Sequence, residues 1–365
     1  MNKVKKIIIY TEITWNFLDQ RHHHLARYFA KNGYSVTFVE RVISRIPKLS
    51  EMKKKSFHQK TQFPEKTIPD NIRVVKSYFL PCTNRIFNLW NGMYWSLAWK
   101  QKQQGSLVYS FLNNPYLIGN IPDSKLLDRI SIFDVIHNWE AFPWNSEMHK
   151  INYHKCLDLY SKIVVDSPKI NSNLLNRRLS PHLMMPGVSP EWFNKNLLAD
   201  NSSRPRVVFF GNLRSNSDVQ LVEYFIKNKL FEFHFFGVID SAIDLQIPIE
   251  SNHGARPSVV VADFLNTHDV VLLPYMDNSF SSTIAPAKYF ECLATGALII
   301  SRAKLNHLPG WKRYVYSVNL LGSVTDEIKA LLLAHEKKTK SQVDFAMQNS
   351  WDKRFFNLLK HIFEK

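Results

Sequence analysis

In the stretch PAKYFECLATGALII (286–300), Lys288 and Glu291 stand three residues apart amid apolar neighbours. On a helix that spacing puts both side chains on one face, near the N-terminal end that Pro286 helps to start. A helix N-terminus attracts anions, and a lysine beside it adds a mobile positive charge. A carboxylate one turn further on can accept hydrogen bonds from a ribose diol. The pair together suits a sugar nucleotide; an ordinary surface ion pair accounts for these two residues equally well.

A second set of candidates lies in the first half of the chain. IFDVIHNWEAFPW carries Asp134, His137 and Glu140 just after a predicted strand. An imidazole there could contact a sugar or orient an acceptor, and either carboxylate could act as a general base in an inverting reaction. A structural histidine and loop-capping acids are the alternatives. His22, His23 and His24 invite a metal reading. Consecutive helical residues turn by about 100° each, so the three cannot converge on one ion, and no metal site is expected. Arg21 and His22 open a helix facing the C-terminal edge of a sheet, where open α/β folds bind ligands; Asp19 is a candidate for the same side or an N-cap.

The elements needed to hold these residues are legible as strand–helix alternation. KKIIIY is a short apolar run suited to a central parallel strand. QRHHHLARYFAKNG follows with helical spacing and an Asn32–Gly33 stop, and YSVTFVE returns as a strand, giving a βαβ unit. The intervening loop, Thr11 to Asp19, has no glycine, which disfavours a nicotinamide or flavin fingerprint. NIRVVKSYFLP, GSLVYSFL, RISIFDVI and KIVVDS predict further strands. SPEWFNKNLLADNSSRPR resembles a linker in composition, and a second α/β series begins at RVVFFGNL. The predicted organisation is a first Rossmann-like domain over 1–190, a second over 204–345, and a helical tail over 346–365 packing back on the first.

The bulk composition agrees with two domains. The chain has 365 residues, 45% hydrophobic and 13% aromatic, which supplies more than one core. Its formal charge of +16 calls for an anionic partner: nucleic acid, an anionic membrane or a phosphorylated substrate. Cys82, Cys156 and Cys292 lie far apart without metal-type spacing, so a reducing compartment is expected, and neither a signal peptide nor a membrane span is predicted.

The segment HGARPSVVVADFLNTHDVVLLPYMDNSFSSTIAPAKYFECLATGALIISR resembles the donor half of GT-B glycosyltransferases of the large retaining family four. The matching positions are Gly254, Asp269–Val270, Pro274, Pro286, Lys288, Glu291, Ala294 and Gly296. TWNFLDQRHHHLARYFAKNGYSVTFVE and PGVSPEWF are similar to stretches of a bacterial subgroup that builds surface polysaccharide. The sequence departs from the family at three places. Thr283 stands where the first glutamate of E-x7-E is usual, GNLRSNSD replaces the usual phosphate clamp, and His137 replaces an aspartate.

This resemblance implies an α/β GT-B fold with a cleft between two Rossmann-like domains. It further implies transfer of a sugar from a nucleotide-sugar donor, UDP-sugar favoured, to a glycan or lipid-linked glycan acceptor, as in O-antigen or capsule synthesis. Lys288 would contact the donor diphosphate and Glu291 the ribose. Gly211, Asn212, Arg214, Arg256, Thr283 and Pro286 would complete the donor side, with Asp19, Arg21 and His22 on the acceptor side. No cofactor is expected, and no DxD motif occurs. A sugar-nucleotide 2-epimerase on the same fold and a basic nucleic-acid-binding protein are the rivals; no nucleic-acid module is evident.

One segment stands outside this scheme. NRIFNLWNGMYWSLAWKQK places Trp95 and Trp99 on one helical face and Ile86, Trp90, Met93 and Leu97 on another. One face is expected in the core, the other in a membrane interface, where tryptophan and lysine are favoured together. With the basic Lys53–Lys55 stretch, this predicts peripheral attachment to the inner face of the cytoplasmic membrane.

Overall fold

Two all-parallel sheets, each fed by helical crossovers, organise the chain. The computed structural model describes the chain apart from residues 1–4, 44–64, 126–128, 137, 141–146, 194–203, 266–268, 279–280, 319–323 and 364–365. The chain divides into two compact units, one of residues 1–185 with 355–365, the other of residues 186–354.

The first unit is built on β1 (Lys6–Tyr10), α1 (Arg21–Lys31), β2 (Ser35–Glu40), β3 (Ile72–Lys76), α2 (Arg85–Ala98), β4 (Ser106–Ser110), β5 (Ile130–Val135), α3 (Glu147–Leu159), β6 (Lys162–Val165), α4 (Pro168–Asn176) and β7 (His182–Leu183). Its strand order is β3-β2-β1-β4-β5-β6-β7. Ile7 to Tyr10 are buried on both faces, which is why β1 reads as an unbroken apolar run rather than an alternating one. Gly33 closes α1 at φ +81°, a left-handed position that suits glycine.

The second unit contains β8 (Arg206–Phe210), α5 (Val219–Lys227), β9 (Glu232–Phe236), α6 (Ser258–Phe264), β10 (Val270–Leu272), α7 (Ala287–Thr295), β11 (Leu298–Ile300), β12 (Val315–Tyr316), α8 (Val324–Glu336) and α9 (Thr339–Met347), and α10 (Trp351–Phe363) begins in it. The strand order is β12-β11-β10-β8-β9. The chain leaves β8 for β9 on one side and returns to β10 on the other, so a topological switch point lies between β8 and β10. Open parallel sheets bind ligands at the carboxyl ends of the strands there.

Three features differ from the sequence reading. Part of the expected linker is folded: Pro190–Trp192 form a 3-10 turn, and the buried Trp192 ring stacks on Phe210 at 5.0 Å. β7 and β12 have two residues each, too short to leave a periodic signal. The C-terminal stretch is two helices rather than one. The first packs on α7, and the second places Phe355 5.3 Å from Tyr28 and stacks His361 on His182 at 4.5 Å.

Candidate donor-binding site

The second unit's switch point has a floor made of glycines. Gly211 follows β8 at φ +111°, and its N–H donates to Phe236 O at 2.7 Å. A Cβ on Gly211 would fall 1.9 Å from Lys288 Nζ, and one on Gly237 would fall 1.9 Å from Gly211 O. Only residues without side chains allow the two strand ends to cross so closely while Lys288 lies over them. The loop that follows is anchored by its backbone. Leu213 N–H donates to Val238 O at 2.9 Å, and Asp218 N–H donates to Pro274 O at 2.8 Å. Arg302 grips the Asp218 carboxylate with two bonds, of 2.6 and 2.7 Å.

α7 presents the charges. Tyr289, Phe290, Leu293 and Ala294 are buried, whereas Lys288 and Glu291 are half-buried. Pro286 starts the helix without a side-chain cap, and the backbone N–H groups of its first turn form the positive end. The far end is clamped: His335 Nε2 lies 2.9 Å from Gly296 O, and Gln342 Nε2 donates to Ala297 O at 3.0 Å. Tyr289 OH donates to Pro309 O at 2.9 Å and fixes the helix's rotation.

Lys288, Glu291 and Arg214 make no side-chain hydrogen bond or ion pair among the described residues. The surface ion pair, the simple alternative for the first two, is therefore not what the structure contains. The groups nevertheless feel one another. Burial lowers the Lys288 pKa, with Glu291 opposing and Arg214 reinforcing the shift. Burial pushes the Glu291 carboxyl up to about 7 against the pull of Lys288, and Glu191 adds to the rise. A half-buried cation, an exposed cation and a carboxyl with no hydrogen-bond or ion-pair partner among the described residues are what a site for a polyanion and a diol requires.

Not every predicted donor residue joins this cluster. Asn212 is exposed on the loop after Gly211, ahead of Arg214. Thr283 is buried in a 3-10 turn ahead of Pro286. Arg256 is exposed; it acts electrostatically on His253, and nothing among the described residues links it to Lys288 or Glu291. Sequence reasoning missed three members. Gly237 was signalled by the repeated FFG that ends both β8 and β9. Tyr275 follows β10, and its phenol, raised by burial, also feels Glu291 and Arg214. Glu191 was hidden in the supposed linker; it accepts a bond from Ser258 Oγ at 3.1 Å.

In the first unit the predicted residues that are described all contact other side chains, and two of them, Arg21 and Asp134, pair with each other. Arg21 forks onto Asp134 with two bonds of 2.8 Å and donates a third to Met184 O at 2.7 Å. Tyr109 OH donates to the same carboxylate at 2.6 Å. Both oxygens of this fully buried acid are occupied, so its geometry is that of a structural ion pair rather than a base awaiting a proton. The His22 ring is buried against Phe111 at 3.9 Å. Asp19 bonds Arg27 and Lys66, while Gln20 is the N-cap of α1. Glu140 is bonded by Arg177 at 2.7 Å. His137 lies outside the described residues. A carboxyl that was not anticipated, Asp166, closes β6, is half-buried, and is pushed up to about 7 by burial with Arg21 opposing.

No protein-family model and no curated protein sequence matches the chain. Among solved structures it resembles sucrose-phosphate synthase from Thermosynechococcus elongatus, at TM-score 0.68 and 12% identity over 99% of each chain. It also resembles WaaG, a glycosyltransferase involved in lipopolysaccharide biosynthesis, at TM-score 0.60 and 11% identity over 99% of this chain and 100% of that one. Anabaena HepE, solved with UDP and glucose, aligns over 100% of both chains at TM-score 0.59 and 10% identity. The fold is therefore of the GT-B class, with two Rossmann-like units.

Proposed function

We propose that the protein is a glycosyltransferase that takes its sugar from a nucleoside diphosphate, UDP favoured. The observation that carries this is the Lys288–Glu291–Arg214 cluster, without a side-chain hydrogen bond or ion pair among the described residues, beside the Gly211–Gly237 crossing at a sheet switch point. The positive N-terminal end of α7 and the two cations receive the diphosphate, and Gly211 lets it approach the backbone. Glu291 accepts hydrogen bonds from the ribose hydroxyls. As the bond to the sugar breaks, negative charge grows on the leaving diphosphate, and Lys288 and Arg214 stabilise it most at that moment. This assigns the work of charge neutralisation to the chain itself. HepE, solved with UDP and glucose, supports the donor class.

The finer reading is a lipid-linked glycan acceptor held by the first unit, in synthesis of a bacterial surface polysaccharide, with the protein peripherally attached to the cytoplasmic membrane. WaaG, named for lipopolysaccharide biosynthesis, supports that setting, and the charge of +16 suits an anionic surface. Thermal-shift titration with UDP, GDP, dTDP, CDP and CMP tests the donor reading. A ligand at a hundred times its Kd adds about 2.7 kcal/mol of stability. UDP should raise Tm in the wild type and much less in Lys288→Ala. A flat response to every nucleotide, or equal shifts in both proteins, would reject the site.

A further inference from the structure

α2 is amphipathic with its polarity inverted. Its inner face carries the buried Asn91 and Trp95, the latter 3% exposed and donating from Nε1 to Gln103 at 3.0 Å. Its outer face is a stripe at i, i+3, i+4, i+7 and i+11 made of Ile86, Leu89, Trp90, Met93 and Leu97. Ile86 and Leu89 are each 78% exposed and Leu97 82%, where a solvated helix would carry charge. Trp90 and Tyr94 stack beside it at 6.4 Å, and Trp90 Nε1 donates to Tyr78 O at 3.0 Å. Rings with a polar handle and an apolar body favour the boundary between water and lipid.

Charge identifies what covers the stripe. From Asn71 to Pro122 the sequence has no acidic residue, and its five basic residues, Arg73, Lys76, Arg85, Lys100 and Lys102, are all exposed. Two of them sit just beyond the end of α2, with Lys102 over the Trp99 ring at 5.0 Å. A second copy of this surface would repel it, and an acid-free apolar strip rimmed by cations complements anionic lipid headgroups. We infer that the outer face of α2 docks on an anionic bilayer, with Leu89, Trp90 and Leu97 entering the acyl boundary. This deepens the membrane placement proposed above and rests on it, but not on the donor chemistry. Among the described residues no helix is long and apolar enough to cross a membrane.

The test uses the full chain, the double variant Leu89→Gln/Leu97→Gln, and vesicles of phosphatidylcholine with or without phosphatidylglycerol. Wild-type protein should sediment with the anionic vesicles at low salt and largely release at high salt. The double variant should lose roughly ten- to a hundredfold in partition, since each leucine withdrawn from the boundary costs on the order of a factor of ten. Its thermal shift with UDP should match the wild type, which separates this inference from the donor reading. Lys100→Glu/Lys102→Glu, at exposed sites, should weaken binding to anionic vesicles only. Wild-type indifference to anionic vesicles would overturn the inference. So would unchanged partition of the double variant, or a concentration-dependent dimer that the same double variant dissociates.

Discussion

Two carboxylates, one in each unit, show how the same chemical group serves opposite ends. Asp134 is fully buried with Arg21 and Tyr109 closing on both oxygens. Glu291 is half-buried with no hydrogen-bond or ion-pair partner among the described residues, although Lys288 stands one turn away. A buried acid with both oxygens engaged holds elements together. An acid left without partners in a partly desolvated place costs stability, and a ligand that supplies donors recovers that cost. The difference lies in what surrounds the carboxyl rather than in sequence type.

The largest effect expected from breaking this contrast is in Asp134→Ala. It strands the Arg21 guanidinium in the interior and should cost about 3–5 kcal/mol, read from urea or thermal unfolding. Full retention of stability would mean the pair is not structural. Lys288→Ala should fold normally yet lower turnover about a hundredfold or more, as loss of a charge-stabilising donor does. Near-normal turnover removes Lys288 from the mechanism. Glu291→Ala should weaken UDP by about 1.5–3 kcal/mol, the value of hydrogen bonds to a charged acceptor, with a smaller loss of turnover than Lys288→Ala; isothermal titration reads the affinity.

The last contrast is in the pH dependence of stability. The Glu291 carboxyl rises from 4.5 in the unfolded chain to about 7 in the folded one. Below its unfolded pKa both states are protonated and no penalty exists. Between the two values only the unfolded chain ionises, so stability falls as pH rises; above about 7 the penalty is complete. Glu291→Gln should therefore raise Tm relative to wild type at pH 8 and not at pH 4.5, while its UDP affinity is lower. Parallel curves at the two pH values would show that Glu291 is not strained by burial.

The donor side was legible because its signals are local. Lys288 and Glu291 share one helix, Pro286 starts it, and Gly296 ends it in a left-handed turn at φ +73°. The parallel strands announced themselves as apolar runs, β1 and β8 above all. The first unit was less transparent. That Arg21 reaches Asp134, 113 residues away, is a property of how β5 and α1 meet, and periodicity carries no trace of it. Asp166 ends a strand at the edge where ligands bind, but an acid in that position is also an ordinary helix-approach residue. Glu191 escaped because polar, proline-containing composition resembles a linker even where Trp192 anchors it.

The clamp behind α7 has a consequence for how the molecule can be cut. Every residue assigned to the diphosphate and ribose lies before Ala297, yet the carbonyls that end the helix are gripped by His335 and Gln342. Aim and chemistry are thus written in different stretches of chain. A fragment ending soon after β11 would keep the whole chemical inventory and lose the mount that points it. Conversely, a designer seeking to re-aim the site without touching a single ligand contact has two buried side chains, some forty residues downstream, to work with.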